Sequence, residues 1–232
     1  MLFRFCVVMI PHAPTLILVS LLLSASCAAV LAYAARGRGR LRQLPAWAMS
    51  LQAVAYLVFV LRDVLTLQAA VVIGHTALSA TLAALGEYAF QERSRRRWHG
   101  LIWLPVAVLA LGLPWLADQP NLRLGIIGAV YTAQCVAVIA ILATGRRTSH
   151  TAGRHIFMAA MAIAGAALAI RTGAIASGVL VIHGITDESP LHTIVLLATI
   201  VSLNIATVGT LLMNEERLSA ELVRRERFEQ FR

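Results

Sequence analysis

The sequence predicts an all-α fold: a polytopic integral membrane bundle of about seven transmembrane helices, N-terminus outside, with a C-terminal helix in the cytoplasm. Three observations lead there. The 232 residues are 59% hydrophobic and 13% charged, with a mean hydropathy of +0.77, which sets the chain apart from ordinary soluble domains. Seven apolar stretches approach the roughly 20 residues that cross a bilayer. The arginines then sort the connections between those stretches into two kinds, as the positive-inside rule requires.

The stretches are 13–35, 44–61, 64–89, 101–118, 122–144, 156–182 and 191–213. The first follows a basic start at Arg4 and carries small residues around Ser24–Ala29, as a signal peptide does. Cleavage there strands Arg36, Arg38, Arg40 and Arg42 outside, so an uncleaved first helix is expected. The second and fourth stretches are short. Only Arg62-Asp63 breaks the second from the third, which predicts a tight helical hairpin. In the sixth, Ala159, Ala160, Ala162, Gly165, Ala166, Ala167 and Ala169 let helices approach closely, which favours a central place in the bundle. The seventh runs without Gly or Pro into the charged segment 214–232. Trp47, Trp98, Trp103 and Trp115 lie near span ends, as interfacial anchors do.

Loop 36–43 holds four arginines, loop 90–100 holds Arg93, Arg95, Arg96 and Arg97, and loop 145–155 holds Arg146, Arg147 and Arg154. The alternate connections hold only Arg62 and Arg123 and carry Asp63, Asp118, Asp187 and Glu188. The Arg-rich loops and the basic tail are therefore expected in the cytoplasm. This divides the chain into a transmembrane domain, 1–213, and a cytoplasmic juxtamembrane linker helix, 214–232. The net charge of +9 rests on 20 arginines and no lysine. That usage suggests a GC-rich bacterial genome, and with it a multi-pass protein of the bacterial plasma (inner) membrane. The partners it implies are membrane lipids rather than nucleic acid. Cys6, Cys27 and Cys135 form no CxxC pair, which argues against a disulfide framework or a structural zinc site.

Polar groups at membrane depth are costly, so each asks for a function. Arg171 lies near the middle of the sixth span, His75 of the third, Asn204 of the seventh, Gln134 of the fifth and Gln52 of the second. Tyr131 is one turn from Gln134, and Glu87 and Tyr88 lie toward the cytoplasmic end of the third span. Arg171 stays charged and has no acidic residue at matching depth, so it must find carbonyls, neutral polar groups, water or an anionic ligand. Hydrogen bonding that fixes helix packing is the commoner role of such residues, and ligand contact the sharper reading. The candidate ligand-binding set is Arg171, His75, Gln134, Asn204 and Tyr131. On the outer side His12, His183, His192, Asp187 and Glu188 have metal-competent side chains. Loop histidines are more often only solvated, so no metal is assigned there; His183, His192 and Asp187 stand as the candidate ligands.

Several chemistries drop out. A retinal Schiff base needs a lysine. P-loop, HExxH and GxSxG motifs are missing, and the spans hold no acidic pair suited to proton transfer. No catalytic residue and no cofactor is expected, and the chain is read as a non-enzyme.

In the tail, Leu211, Leu218 and Leu222 share one side, and Glu221 precedes Arg225 at a favourable i,i+4 spacing. Arg217 and Glu221 add an opposite-charge pair. Arg225 and Glu229 interrupt the apolar seam after about two heptads, too few for a free-standing coiled coil. A solvated helix drawn to anionic lipid is one reading; a signalling linker made by Glu216, Arg217, Leu218, Glu221, Leu222 and Arg225 is the other.

The chain has Leu44-Pro45-Ala46-Trp47-Ala48 opening its second span and Val72-Ile73-Gly74-His75-Thr76 in its third. It has Asn121-Leu122-Arg123 before its fifth, Arg171 in its sixth, and Gly209-Thr210-Leu211-Leu212-Met213 with Glu216-Arg217-Leu218 and Glu221-Leu222 at its end. Over about residues 44–222 it resembles the N-terminal multispan sensory region of bacterial signalling proteins, especially membrane-bound diguanylate cyclases with a C-terminal GGDEF domain. His75 stands where such relatives often carry Asn, and no GGDEF-like sequence is present, so no cyclase activity carries over. The resemblance implies the sensory part of a longer protein, or a short relative acting through a cytoplasmic signalling partner. A second copy pairing through the C-terminal helix is a further expected partner. The function expected is a membrane sensory or regulatory module that relays a ligand, lipid or membrane signal through the seventh helix. A small transporter or channel is the alternative, and a membrane metal-binding protein or enzyme the third reading.

Overall fold

The structure is a computed structural model that describes residues 13–36, 40–92, 99–116, 118–144, 152–180 and 189–230. A bilayer offers backbone groups no water, so a spanning chain must satisfy them within helices or a closed barrel. The described residues are helical throughout apart from short turns. In order they form α1 (Ala13–Ala34), α2 (Arg40–Val60), α3 (Leu67–Glu92), α4 (His99–Gly112), α5 (Pro120–Ala143), α6 (Ala152–Ala176) and α7 (Pro190–Gln230). Six are long and apolar enough to cross a membrane; α4 is the shorter one. Its 14 residues cover about 21 Å. The Gly112-Leu113-Pro114 sequence then tightens into a 3₁₀ turn over Leu113–Leu116, which brings the reach to about 29 Å.

The sharp hairpin between α2 and α3 is present. A 3₁₀ turn over Leu61–Asp63 closes α2, and Thr66 caps α3 by accepting a hydrogen bond from the Ala69 amide at 3.3 Å. At the far end of α6, Gly178 adopts φ +71°. The chain turns there because glycine carries no Cβ penalty in the left-handed region.

The central helix is α3, not α6 as the run of small residues suggested. The most apolar window of α3 is 72% buried against 39% for that of α6. In α6, Ala160, Ala164 and Gly165 face inward, while Ala159, Ala162, Ala166 and Ala169 are exposed. Small residues therefore cover both sides of α6, and only one side serves packing. Helices α2, α3, α5, α6 and α7 pack in succession, and α7 returns to touch α2 and α1. Ile17, Tyr56, Phe59 and Ile200 form the cluster that closes this ring between α1, α2 and α7. α1 and α4 lie on its outside, with Leu22, Val30, Tyr33 and Leu111 exposed. Trp47, Trp103 and Trp115 are also exposed. Trp98 lies outside the described residues.

Candidate functional site

Two polar rungs tie α3 to α5. One turn apart on α3, His75 pairs with Tyr131 and Ser79 with Gln134. The Tyr131 hydroxyl donates to the His75 carbonyl at 2.8 Å and lies 3.1 Å from His75 Nδ1. A hydroxyl has one proton, so both bonds form together only if Nδ1–H donates to the Tyr131 oxygen. In the neutral ring this makes Nε2 an acceptor. That nitrogen is buried with no partner among the described residues. The ring also packs at 5.2 Å, centroid to centroid, against Phe59. On the next rung Ser79 Oγ donates to Gln134 Oε1 at 3.0 Å, and Gln134 Nε2 donates to the Ser79 carbonyl at 3.1 Å.

Beside the His75–Tyr131 rung, the ring of helices encloses a cavity of about 60 Å³. This is room for a few water-sized groups. Each of the five ring helices contributes to its wall. Polar wall residues are Tyr56 from α2, His75 from α3, Tyr131 from α5, Arg171 from α6, and His192 and Thr199 from α7. The remainder is apolar, including Leu78, Leu124, Leu168 and Leu196. Arg171 is only 7% exposed, and among the described residues its Nε has no hydrogen-bond partner.

No family model, curated protein or solved structure matches this chain. Arg171, His75 and Tyr131 come together in one wall. Gln134 is buried beside it in the second rung, and its neighbour Cys135 takes the lining position. Asn204 is not in the wall: its amide donates to the Ile200 carbonyl one turn back on α7, at 2.8 Å. Gln52 is fully buried on α2. His192 belongs to the cavity rather than to an outer loop, while His12, His183, Asp187 and Glu188 lie outside the described residues. Among the described residues no three metal-competent side chains gather. Tyr56 and Thr199 went unnoticed in the sequence. The signal for Tyr56 was its place one turn after Gln52, on the same face of α2.

At the opposite end of the bundle, α7 is held before its exposed tail begins. Gly153 of α6 and Gly209 of α7 touch backbone to backbone. A Cβ on Gly209 would sit 2.8 Å from the Phe157 amide nitrogen, and one on Gly153 would sit 2.6 Å from that of Met213. The Tyr88 hydroxyl lies 3.1 Å from the Thr210 carbonyl and 3.2 Å from Asn214 Oδ1. Glu216 Oε1 accepts from the Gly153 amide at 3.3 Å, placing a carboxylate at the electropositive start of α6. Arg154 in turn donates to the Leu142 carbonyl near the end of α5, at 2.6 Å. Arg217 and Leu218 are half-buried, and from Ser219 onward the tail is exposed at every position with a described side chain, Leu222 and Arg225 included. The Glu221 side chain is outside the described set.

Proposed function

We propose that this chain is a seven-span sensory module of a bacterial inner membrane, which reads the occupancy of its internal cavity and passes it along α7. The N-terminus is outside, and the Arg-rich loops and the tail are in the cytoplasm, as the arginine distribution requires. In this reading α4 and its 3₁₀ turn make the seventh crossing, since about 29 Å nearly matches a hydrocarbon core of about 30 Å. The cavity then lies in the outer half of the bundle, near the starts of α3, α5 and α7 and the end of α6.

One observation carries the proposal: α7 is a single helix of 41 residues. Its first turns supply His192, Leu196, Thr199 and Leu203 to the cavity wall. Residues 190–213 suffice to cross the bilayer, and 214–230 extend about 25 Å beyond it. A group bound in the cavity shifts the bundle only if it prefers one packing over another. Packed helices then move as rigid bodies, and α7 delivers that movement to its tail. The output is a GGDEF-type cyclase domain or a separate signalling partner.

The test is a reporter cyclase domain fused after Arg232, with one, two or three residues inserted after Leu218. Each insertion turns the downstream helix by about 100°. Output that varies with helical phase is expected. Output indifferent to all three insertions sinks the relay.

A further inference from the structure

The cavity that the proposed sensor reads has a chemistry of its own, and we propose that it is a site for the carboxylate of an apolar acid. The inference rests on the sensory reading only for its purpose, since binding is a separate property. A buried guanidinium is expensive unless it is paired. Arg171 is 7% exposed, lines the cavity, and leaves Nε without a partner among the described residues. A positive apolar-walled cavity takes an anion.

Three features narrow the anion. The guanidinium fork matches a planar carboxylate with two parallel hydrogen bonds. One arginine in the wall neutralises one charge, so a doubly charged phosphate would keep an unpaired charge against leucine side chains. At about 60 Å³ the space admits a small head group and not a bulky one. The wall beyond the polar residues is Cys135, Ala164 and six leucines, Leu78, Leu82, Leu124, Leu168, Leu196 and Leu203, from four helices. This suits the first carbons of an alkyl chain. Tyr56 and His192 stand in the same wall as further polar contacts.

Such an acid arrives from water as a short-chain carboxylate or from the bilayer as a free fatty acid. The experiment uses the full chain in nanodiscs, with radiolabelled hexanoate added to the buffer in one arm and labelled oleate incorporated in the bilayer in the other. Saturable binding is expected in at least one arm, and which arm binds identifies the source. The uncharged amides of the same acids should bind at least tenfold more weakly, because they lose the charge-assisted pair. Arg171→Gln should weaken acid binding by tenfold or more. Leu168→Phe, which keeps the arginine and crowds the apolar wall, should also weaken it. That variant keeps the idea testable if Arg171→Gln does not fold. Absence of saturable binding in both arms, or amides that bind as well as acids, overturns the proposal. Binding that leaves reporter output unchanged supports the carboxylate site and counts only against the relay.

Discussion

Intramembrane polar side chains stand out because an apolar span makes each of them costly, and this is why His75, Tyr131 and Arg171 were legible in the sequence. Depth is what such reading supplies. It does not supply direction, since one residue turns a helix by about 100°. Gln134 and Asn204 lie at suitable depths, yet Gln134 turns to Ser79 and Asn204 bonds its own helix. His192 misled in the opposite way: at the outer end of the seventh stretch it looked like part of a solvated outer cluster, and the start of α7 carries it into the cavity wall. Tyr131 is the residue on which the polar wall depends, because it receives and returns a hydrogen bond with His75. Tyr131→Phe should cost about 1–2 kcal/mol of stability, in keeping with interhelical hydrogen bonds in membranes. Reversible unfolding in mixed detergent measures this. An unchanged unfolding free energy means the pair does not hold α3 to α5.

Helix existence and order could be read from hydropathy, and the Arg62-Asp63 hairpin from the short polar break. The centre of the bundle could not. Small residues on α6 pointed there, but half of them face outward, and α3 holds the centre through polar rungs. Besides those to α5, Thr81 Oγ1 reaches the Ala48 carbonyl of α2 at 3.3 Å, and Tyr88 reaches α7. The closest approach the small residues of α6 and α7 allow is one crossing, Gly153 against Gly209. Gly209→Ala places its methyl against backbone, which cannot yield as a side chain can. It should cost about 1–3 kcal/mol. Gly125→Ala on α5 meets nothing within 4 Å and should be neutral or mildly stabilising. Equal melting temperatures for the two variants would show that α6 and α7 do not meet at these glycines. The tail was legible as a continuous helix because nothing between Leu191 and Gln230 breaks it. Its anchorage by Tyr88 and Glu216 was not, since both contacts cross long sequence distances.

At the scale of the molecule, a ring of five helices encloses a small polar-sided cavity at one end, and one of those helices leaves the other end as a long tail. The glycine crossing and the Glu216 contact lie between them, so under the proposed relay a change in the cavity would reach the tail through the α6–α7 pair. Filling the cavity tests this without any ligand. Ala164 is fully buried in its wall, and Ala164→Leu adds three carbons there. The direct measurement is a pulsed spin–spin distance between labels at Thr144→Cys, on the end of α5, and Ser219→Cys, on the tail, with Cys6, Cys27 and Cys135 replaced by serine or alanine. The account predicts that Ala164→Leu shifts the distance distribution between these labels by a few ångströms, on the order of the 1–2 Å to one-turn movements that packed helices make. Superimposable distributions in a folded variant would contradict it.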